Sequence, residues 1–253
     1  MNSVESGHAV RTAPVYEVLA ADIKSLGVEA VFGLMSDDTA LFVTALDMVG
    51  ITFHGGRHEN AAISMAEGYA YVSGSLGIAV VGRGPATANG LDADVYAART
   101  GSRVLIIYGD AAFGTSSTNA LGPDYKAFNA LGVLTAAGLQ VLRATSAAGA
   151  RTTLADAAGL AMQGNAVALL LPTSIQLSKL QWDDADPAPS VVVPETQAES
   201  ARPEAVQSAV DCLGRSQRPL IIAGLGAHRA GARDALEQLA DRLGALILTT
   251  ARA

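Results

Sequence analysis

Apolar and polar positions along this chain follow two rhythms that take turns. Val15, Val18, Leu19, Ile23 and Leu26 recur at helical spacing, with Thr12 placed to cap the helix and Gly27 to stop it. Ala30–Phe32 then reads as a strand. Asp37 or Asp38 is placed to cap a second helix, whose stripe is Leu41, Phe42, Ala45, Leu46 and Val49. Ile51–His54 is the next predicted strand, and residues 59–73 form a helix dense in Ala, Ser and Gly. Leu76–Val81 and Val104–Tyr108 are continuous apolar runs, which suit parallel strands covered on both faces. A helix over about 87–99 lies between them. A loop with little periodicity covers 109–122. A strand at Gln140–Leu142, a helix Ser146–Gln163 and a strand Val167–Leu171 complete the pattern. This order predicts an α/β fold over residues 1–173, a doubly wound parallel sheet with right-handed crossovers.

Residues 174–202 are polar and rich in Pro (Pro187, Pro189, Pro194) and read as a linker, with Trp182 packed back on a domain. A second α/β pattern fills 203–253. It has a helix Pro203–Leu213, a strand Pro219–Ala223, a helix Ala230–Leu243 and a strand Ala245–Leu248. So few elements bury little core. The second domain is therefore expected to be incomplete, either finished by another chain or cut as a fragment.

Composition narrows the classes. Half of the 253 residues are hydrophobic and 16% are charged, so a sizeable core is expected. A net charge of −7 argues against nucleic acid, whose phosphates need clustered Lys and Arg. The longest apolar run, Ala166–Leu171, falls far short of the roughly 18 residues of a membrane span. With no signal-peptide pattern at the N-terminus, a cytoplasmic protein is expected. The lone Cys212 excludes an internal disulfide and reads as a core thiol. His54 and His58 read as packed or hydrogen-bonded imidazoles, and no metal ligand is predicted.

The candidate chemistry centres on Glu59. It follows an apolar strand and opens a small-residue helix, where desolvation favours a neutral carboxyl and the helix N-terminus favours the anion. Asp37 sits in the preceding strand-to-helix loop. Gly84–Pro85 makes a rigid turn, with Asn89 placed to cap or brace it. Ala86 fits there only at negative φ. Asp92, Asp94 and Arg99 are expected on the outer side of the following helix, toward a subunit. The 109–128 loop is long and polar, and Lys126 in it reads as a solvated side chain. Gly224–Leu225–Gly226 reads as a tight turn, since Arg229 stands where a dinucleotide fingerprint needs its third Gly.

Taken together, Phe32–Gly33, Arg57–His58–Glu59, Glu67–Gly68–Tyr69–Ala70 and Gly84–Pro85–Ala86–Thr87–Ala88–Asn89 resemble the pyrimidine-binding domain of thiamine-diphosphate enzymes. The superfamily is that of acetolactate synthase, pyruvate decarboxylase and benzoylformate decarboxylase. The tail from Arg218 looks like the start of its central domain, which binds FAD in some relatives. The resemblance implies that Glu59 hydrogen-bonds N1′ of the cofactor's aminopyrimidine, as a catalytic and cofactor-binding residue. Gly84, Pro85 and Asn89 then line the cofactor.

Phe32–Gly33–Leu34–Met35–Ser36–Asp37 overlays the Phe-Gly-Leu-Pro-Gly-Asp of pyruvate decarboxylases, which implies a proton-relay role for Asp37. Acetolactate synthases have Gly-Gly there, and the decarboxylases' His pair is missing from residues 109–122. The family's diphosphate motif, Gly-Asp-Gly with a distant Asn that holds Mg²⁺, occurs nowhere in the sequence. The expected partner is a second chain that carries it, in a hetero-oligomer built on a dimer or tetramer. The implied reaction is C–C cleavage or carboligation of a 2-oxo acid. The alternatives are a 2-hydroxyacyl-CoA lyase or oxalyl-CoA decarboxylase, or a non-catalytic regulatory subunit of the same fold.

Overall fold

A computed structural model of the protein describes residues 11–112, 118–119, 122–183, 187–191 and 200–251. The expected 109–122 loop and the expected linker each fall partly outside these residues. The chain forms two compact units, Met1–Pro194 and Glu195–Ala253.

The first unit begins with β1 (Arg11–Pro14), α1 (Val15–Ser25), β2 (Ala30–Gly33), α2 (Ala40–Met48), β3 (Thr52–Gly55) and α3 (Glu59–Ser73). It continues with β4 (Gly77–Val81), α4 (Pro85–Thr100), β5 (Val104–Asp110) and a two-residue ribbon of β6 (Thr118–Asn119) and β7 (Gly122–Pro123). The remaining elements are α5 (Ala130–Ala136), β8 (Gln140–Arg143), α6 (Ala147–Met162), β9 (Ala166–Pro172), α7 (Thr173–Leu177) and β10 (Lys179–Trp182). Six strands form one parallel sheet in the order β3-β2-β4-β5-β9-β8, the doubly wound fold expected.

Alternate residues of each central strand supply two cores. Val31, Ile78, Leu105 and Val167 face α1, α2 and α6, while Phe32, Ala79, Ile106 and Ala168 face α3, α4 and α5. Both faces are covered, which is why these strands read as unbroken apolar runs. On the first face, Arg151 of α6 donates two hydrogen bonds to buried Asp22 of α1, at 2.9 and 2.7 Å. On the second, Gly77 lets α3 sit close to β4: a Cβ there would overlap the Ala66 carbonyl and lie 3.1 Å from the Ala70 methyl. The Glu67–Gly68–Tyr69–Ala70 motif is thus a packing motif here. Glu67 also accepts a hydrogen bond from Ser102 at 2.7 Å, and Tyr69 packs on Phe32 with centroids 5.6 Å apart.

The structure corrects several local expectations. Thr12 does not cap α1, because it lies in β1 paired with Gln181 of β10. The segment expected as a linker therefore opens with a helix and a strand, and Trp182 is buried against Ala13 and Val18. Neither Asp37 nor Asp38 caps α2; Thr39 is its N-cap and makes no side-chain cap bond. Helix α5 has too short a stripe to stand out in the sequence.

The second unit holds α8 (Pro203–Gly214), β11 (Leu220–Ala223), α9 (Leu225–Arg229), α10 (Arg233–Leu243) and β12 (Leu246–Thr249), with β11 and β12 parallel. The helix expected from Ala230 starts at Arg233, after Gly231 at φ 62°, and α9 forms where Gly224–Leu225–Gly226 was expected only as a tight turn. Cys212 is exposed on α8, none of whose residues is buried in this chain, so it is not a core thiol.

Gly77→Ala should push α3 off the sheet and cost roughly 1–3 kcal/mol. Gly68→Ala, whose added methyl meets nothing within 4 Å, should stabilise α3 by about 0.5–1 kcal/mol. Urea unfolding midpoints of the two variants against the parent read the contrast.

Candidate active site

The order β3-β2-β4 sends the chain outward from β2 to β3 and then back across β2 to β4. The loops leaving the C-terminal ends of β2 and β4 therefore diverge, and they leave the crevice in which open α/β sheets bind ligands. Residues 34–39 form one wall and Gly82–Arg83–Gly84 the other. Glu59 enters from the neighbouring edge as the first residue of α3. Its N-cap His58 extends the backbone and accepts a hydrogen bond on Nδ1 from Asn60 N at 3.2 Å.

Glu59 is 8% exposed. Asn89, in the second turn of α4, donates from Nδ2 to Glu59 Oε2 at 3.1 Å. Among the described residues, Oε1 takes no hydrogen bond. Beside this contact, Asn60 Oδ1 accepts from Ala93 N at 2.7 Å. A Cβ at Gly90 would lie 2.6 Å from the Ile63 side chain, so the two helices meet where α4 has no side chain. Gly84 is the N-cap of α4 at φ 68°, a left-handed conformation that favours Gly, and Pro85 is the first helical residue. Ala86 lies at negative φ, as its place in the turn requires. Asn89 thus braces Glu59 rather than the turn.

The two histidines are structural. His54 stacks on Phe32 at 5.2 Å between centroids, and His58 caps α3. Arg57 is exposed and forms no ion pair among the described residues.

Asp38, expected only as a helix cap, is the hub of the crevice. It is buried. Its Oδ2 accepts from Arg83 N at 2.8 Å, and Oδ1 meets Lys126 Nζ at 2.9 Å. Its backbone carbonyl accepts from Gln176 Nε2 at 3.0 Å. Any side chain on Gly109 would overlap Asp38 Oδ2, and a Cβ on Gly82 would lie 2.6 Å from Ser36 Oγ. Glycines at the ends of two neighbouring strands were the available signal of such close approach.

Lys126 is not a solvated side chain. It is held between Asp37 and Asp38, and its backbone carbonyl lies against Gly84. Arg83 grips Asp124 with two hydrogen bonds, at 2.8 and 3.2 Å. Burial works to lower the Lys126 pKa, but the bonds to Asp37 and Asp38 outweigh it and leave it raised. The Lys126 hydrogen bond lowers the Asp37 pKa in turn. Asp37 itself is 75% exposed.

Asp94 also departs from expectation. It faces the sheet and is fully buried, while Asp92 and Arg99 are exposed. Tyr108 donates its hydroxyl to Asp94 Oδ2 at 2.7 Å, and Oδ1 is buried without a hydrogen-bond partner.

Comparison with known families decides the membership. The family model for the thiamine pyrophosphate enzyme N-terminal TPP binding domain matches residues 14–131, and that for the thiamine pyrophosphate enzyme central domain matches 206–253. The chain belongs to the thiamine diphosphate-dependent enzyme superfamily. It is 27% identical over 92% of its length to the "Probable acetolactate synthase large subunit" of Methanococcus aeolicus, covering 39% of that protein. It is 26% identical over 92% of its length to the acetolactate synthase large subunit of Lactococcus lactis subsp. lactis, covering 40%. It is 34% identical to 2-hydroxyacyl-CoA lyase 2 of Danio rerio over 38% of its length, covering 16%. The chain thus spans about two-fifths of the acetolactate synthase large subunits it matches.

The site's donor set fits the aminopyrimidine of thiamine diphosphate. A buried carboxyl with one oxygen fixed by Asn89 and the other unengaged can meet a ring nitrogen. Among the described residues, no group of three or more His, Cys, Asp or Glu side chains could hold a metal ion. No helix among them is long and apolar enough to cross a membrane.

Two outcomes test this geometry. Asp38→Ala orphans the Arg83 amide and should cost roughly 1–3 kcal/mol, whereas Asp37→Ala removes an exposed partner and should cost under about 1 kcal/mol. Equal losses in urea unfolding would contradict the hub role. Burial raises the Asp94 pKa from 3.8 to about 7, against a smaller opposing effect of the Tyr108 hydrogen bond. The folded chain therefore binds this proton more tightly than the unfolded one, and the stability it gives is lost as pH rises from about 4 to about 7. The loss at pH 8 is on the order of 4 kcal/mol. Asp94→Asn should raise stability at pH 8 far more than at pH 4, and pH-dependent unfolding curves check this.

Proposed function

We propose that this chain supplies the aminopyrimidine side of a thiamine diphosphate site in an enzyme that cleaves or joins C–C bonds of 2-oxo acids. The observation that carries the reading is the buried Glu59 carboxyl, with Asn89 on Oε2 and Oε1 left open. Thiamine diphosphate, when bound, supplies carbanion-stabilising chemistry at a carbonyl carbon. Glu59 is the group that meets N1′ of the pyrimidine and holds or passes a proton there, the task of a positioned general acid–base. Asn89 keeps its carboxyl from rotating. The Gly84–Pro85 turn presents backbone rather than side chain, which lets a flat ring come close. Asp37, held ionised by Lys126, is an anionic acceptor at the mouth of the crevice rather than a proton donor.

Diphosphate and Mg²⁺ fall to a Gly-Asp-Gly-bearing domain, which we place on a partner chain in a hetero-oligomer. The match to 2-hydroxyacyl-CoA lyase 2, higher in identity though shorter, favours a second reading in which the substrate is a CoA thioester.

The test is steady-state kinetics on the complex with the diphosphate-binding chain. Glu59→Gln should lower kcat at least about 100-fold, the scale of a lost acid–base group. Undiminished turnover in that variant sinks the reading. Product analysis with a 2-oxo acid and with a 2-hydroxyacyl-CoA ester separates the two substrates.

A further inference from the structure

Two acidic groups meet beneath the first turns of α4, Tyr108 from β5 and Asp94 from α4 itself. Glu59 of α3 is tied to the same helix through Asn89. Tyr108 and Asp94 are both fully buried, and the Tyr108 hydroxyl is bonded to Asp94 Oδ2 at 2.7 Å. Position 90 is a glycine whose Cβ would lie 3.0 Å from that hydroxyl, so the hydroxyl packs close against the α4 backbone there. The apolar cluster that includes Tyr108 also holds Ile63 from α3, Ala130 and Leu134 from α5 and Leu170 from β9. Among the described residues, neither Asp94 oxygen pairs with a cation. The Tyr108 phenol is raised well above its usual pKa by burial, then by the charge and hydrogen bond of Asp94, and also by the charge of Glu59. The Tyr108 hydroxyl thus lies under Gly90, the residue next to Asn89, whose side chain holds the Glu59 carboxyl.

A buried carboxylate with one orphaned oxygen and no cation is unfavourable; the same group carrying a proton is far less so. We infer that Asp94 is a positioning residue that acts through Tyr108 on Glu59. The Asp94 proton keeps charge away from the Tyr108 hydroxyl, which lies under the backbone next to Asn89. Losing that proton places a negative charge behind Tyr108 and disturbs the Glu59–Asn89 bond. Asp94 touches neither Glu59 nor the crevice, and the deprotonated state is the inactive one. The inference rests on the proposed role of Glu59 for its functional meaning but not for its measurement.

The experiment is an NMR titration of the full 253-residue chain from about pH 5 to about pH 9, which brackets a midpoint of about 7. It follows ¹³C of the Asp94 carboxyl and the Tyr108 ring and ¹⁵N–¹H of the Asn89 side-chain amide. Asp94 should titrate at about 7, and the Asn89 amide and Tyr108 ring should move with that same midpoint. Asp94→Asn, which mimics the protonated state, should keep the low-pH Asn89 signal and abolish its step. Tyr108→Phe should abolish the step while Asp94 still titrates. If either variant fails to fold, the parent titration decides alone. Asp94 ionising in the ordinary carboxylate range, or an Asn89 amide that stays still while Asp94 titrates, overturns the inference. Full turnover of Glu59→Gln would overturn the proposed function instead and leave these titrations unchanged.

Discussion

The close crossing of α3 and α4 is the constraint on which the site depends. Glu59 is buried only because α4 comes near enough for Asn89 to reach its carboxyl, and α4 comes that near only because Gly90 faces Ile63. The Asn60–Ala93 bond fixes the same crossing one residue along. A lone buried carboxyl costs several kcal/mol unless it is hydrogen-bonded. The seam therefore does two things together: it desolvates Glu59 and supplies a partner for one of its oxygens.

The charge network at the switch point solves a related problem for the loops. Two loops that diverge from adjacent strands have no backbone ladder to hold them. Asp38 takes that role by accepting from the Arg83 amide and from Lys126, and Gln176 fixes its carbonyl from the far side. Lys126 and Arg83 then hold the start of the segment after β7 against the Gly84 turn. Buried pairs of this kind give register and position more than net stability.

Asp94 shows a trade-off between stability and arrangement. A buried carboxyl with one orphaned oxygen lowers stability at neutral pH, yet its hydroxyl partner Tyr108 sits beneath the seam that holds Glu59. Local costs of this kind gather where surrounding packing is dense enough to absorb them. Here that packing is the α3–α4–α5 face, one of the two large apolar cores.

The six strands of the parallel doubly wound sheet, helices α1 to α4 and α6, the reach of residues 59–73 as a helix and the place of Glu59 at its start were legible in the sequence, because hydrophobic period and Gly/Pro punctuation are local. The resemblance carried by Arg57–His58–Glu59 and the Gly84–Pro85 turn was legible for the same reason. Partner choice was not. Asn89 with Glu59, Asp38 with Arg83 and Lys126, and Asp94 with Tyr108 lie 30, 45, 88 and 14 positions apart. Between Asp37 and Asp38, neighbours of one type, the sequence offered no way to choose. Only the tertiary structure chose, since the space left by Gly82 and Gly109 admits one carboxylate and turns the other to solvent.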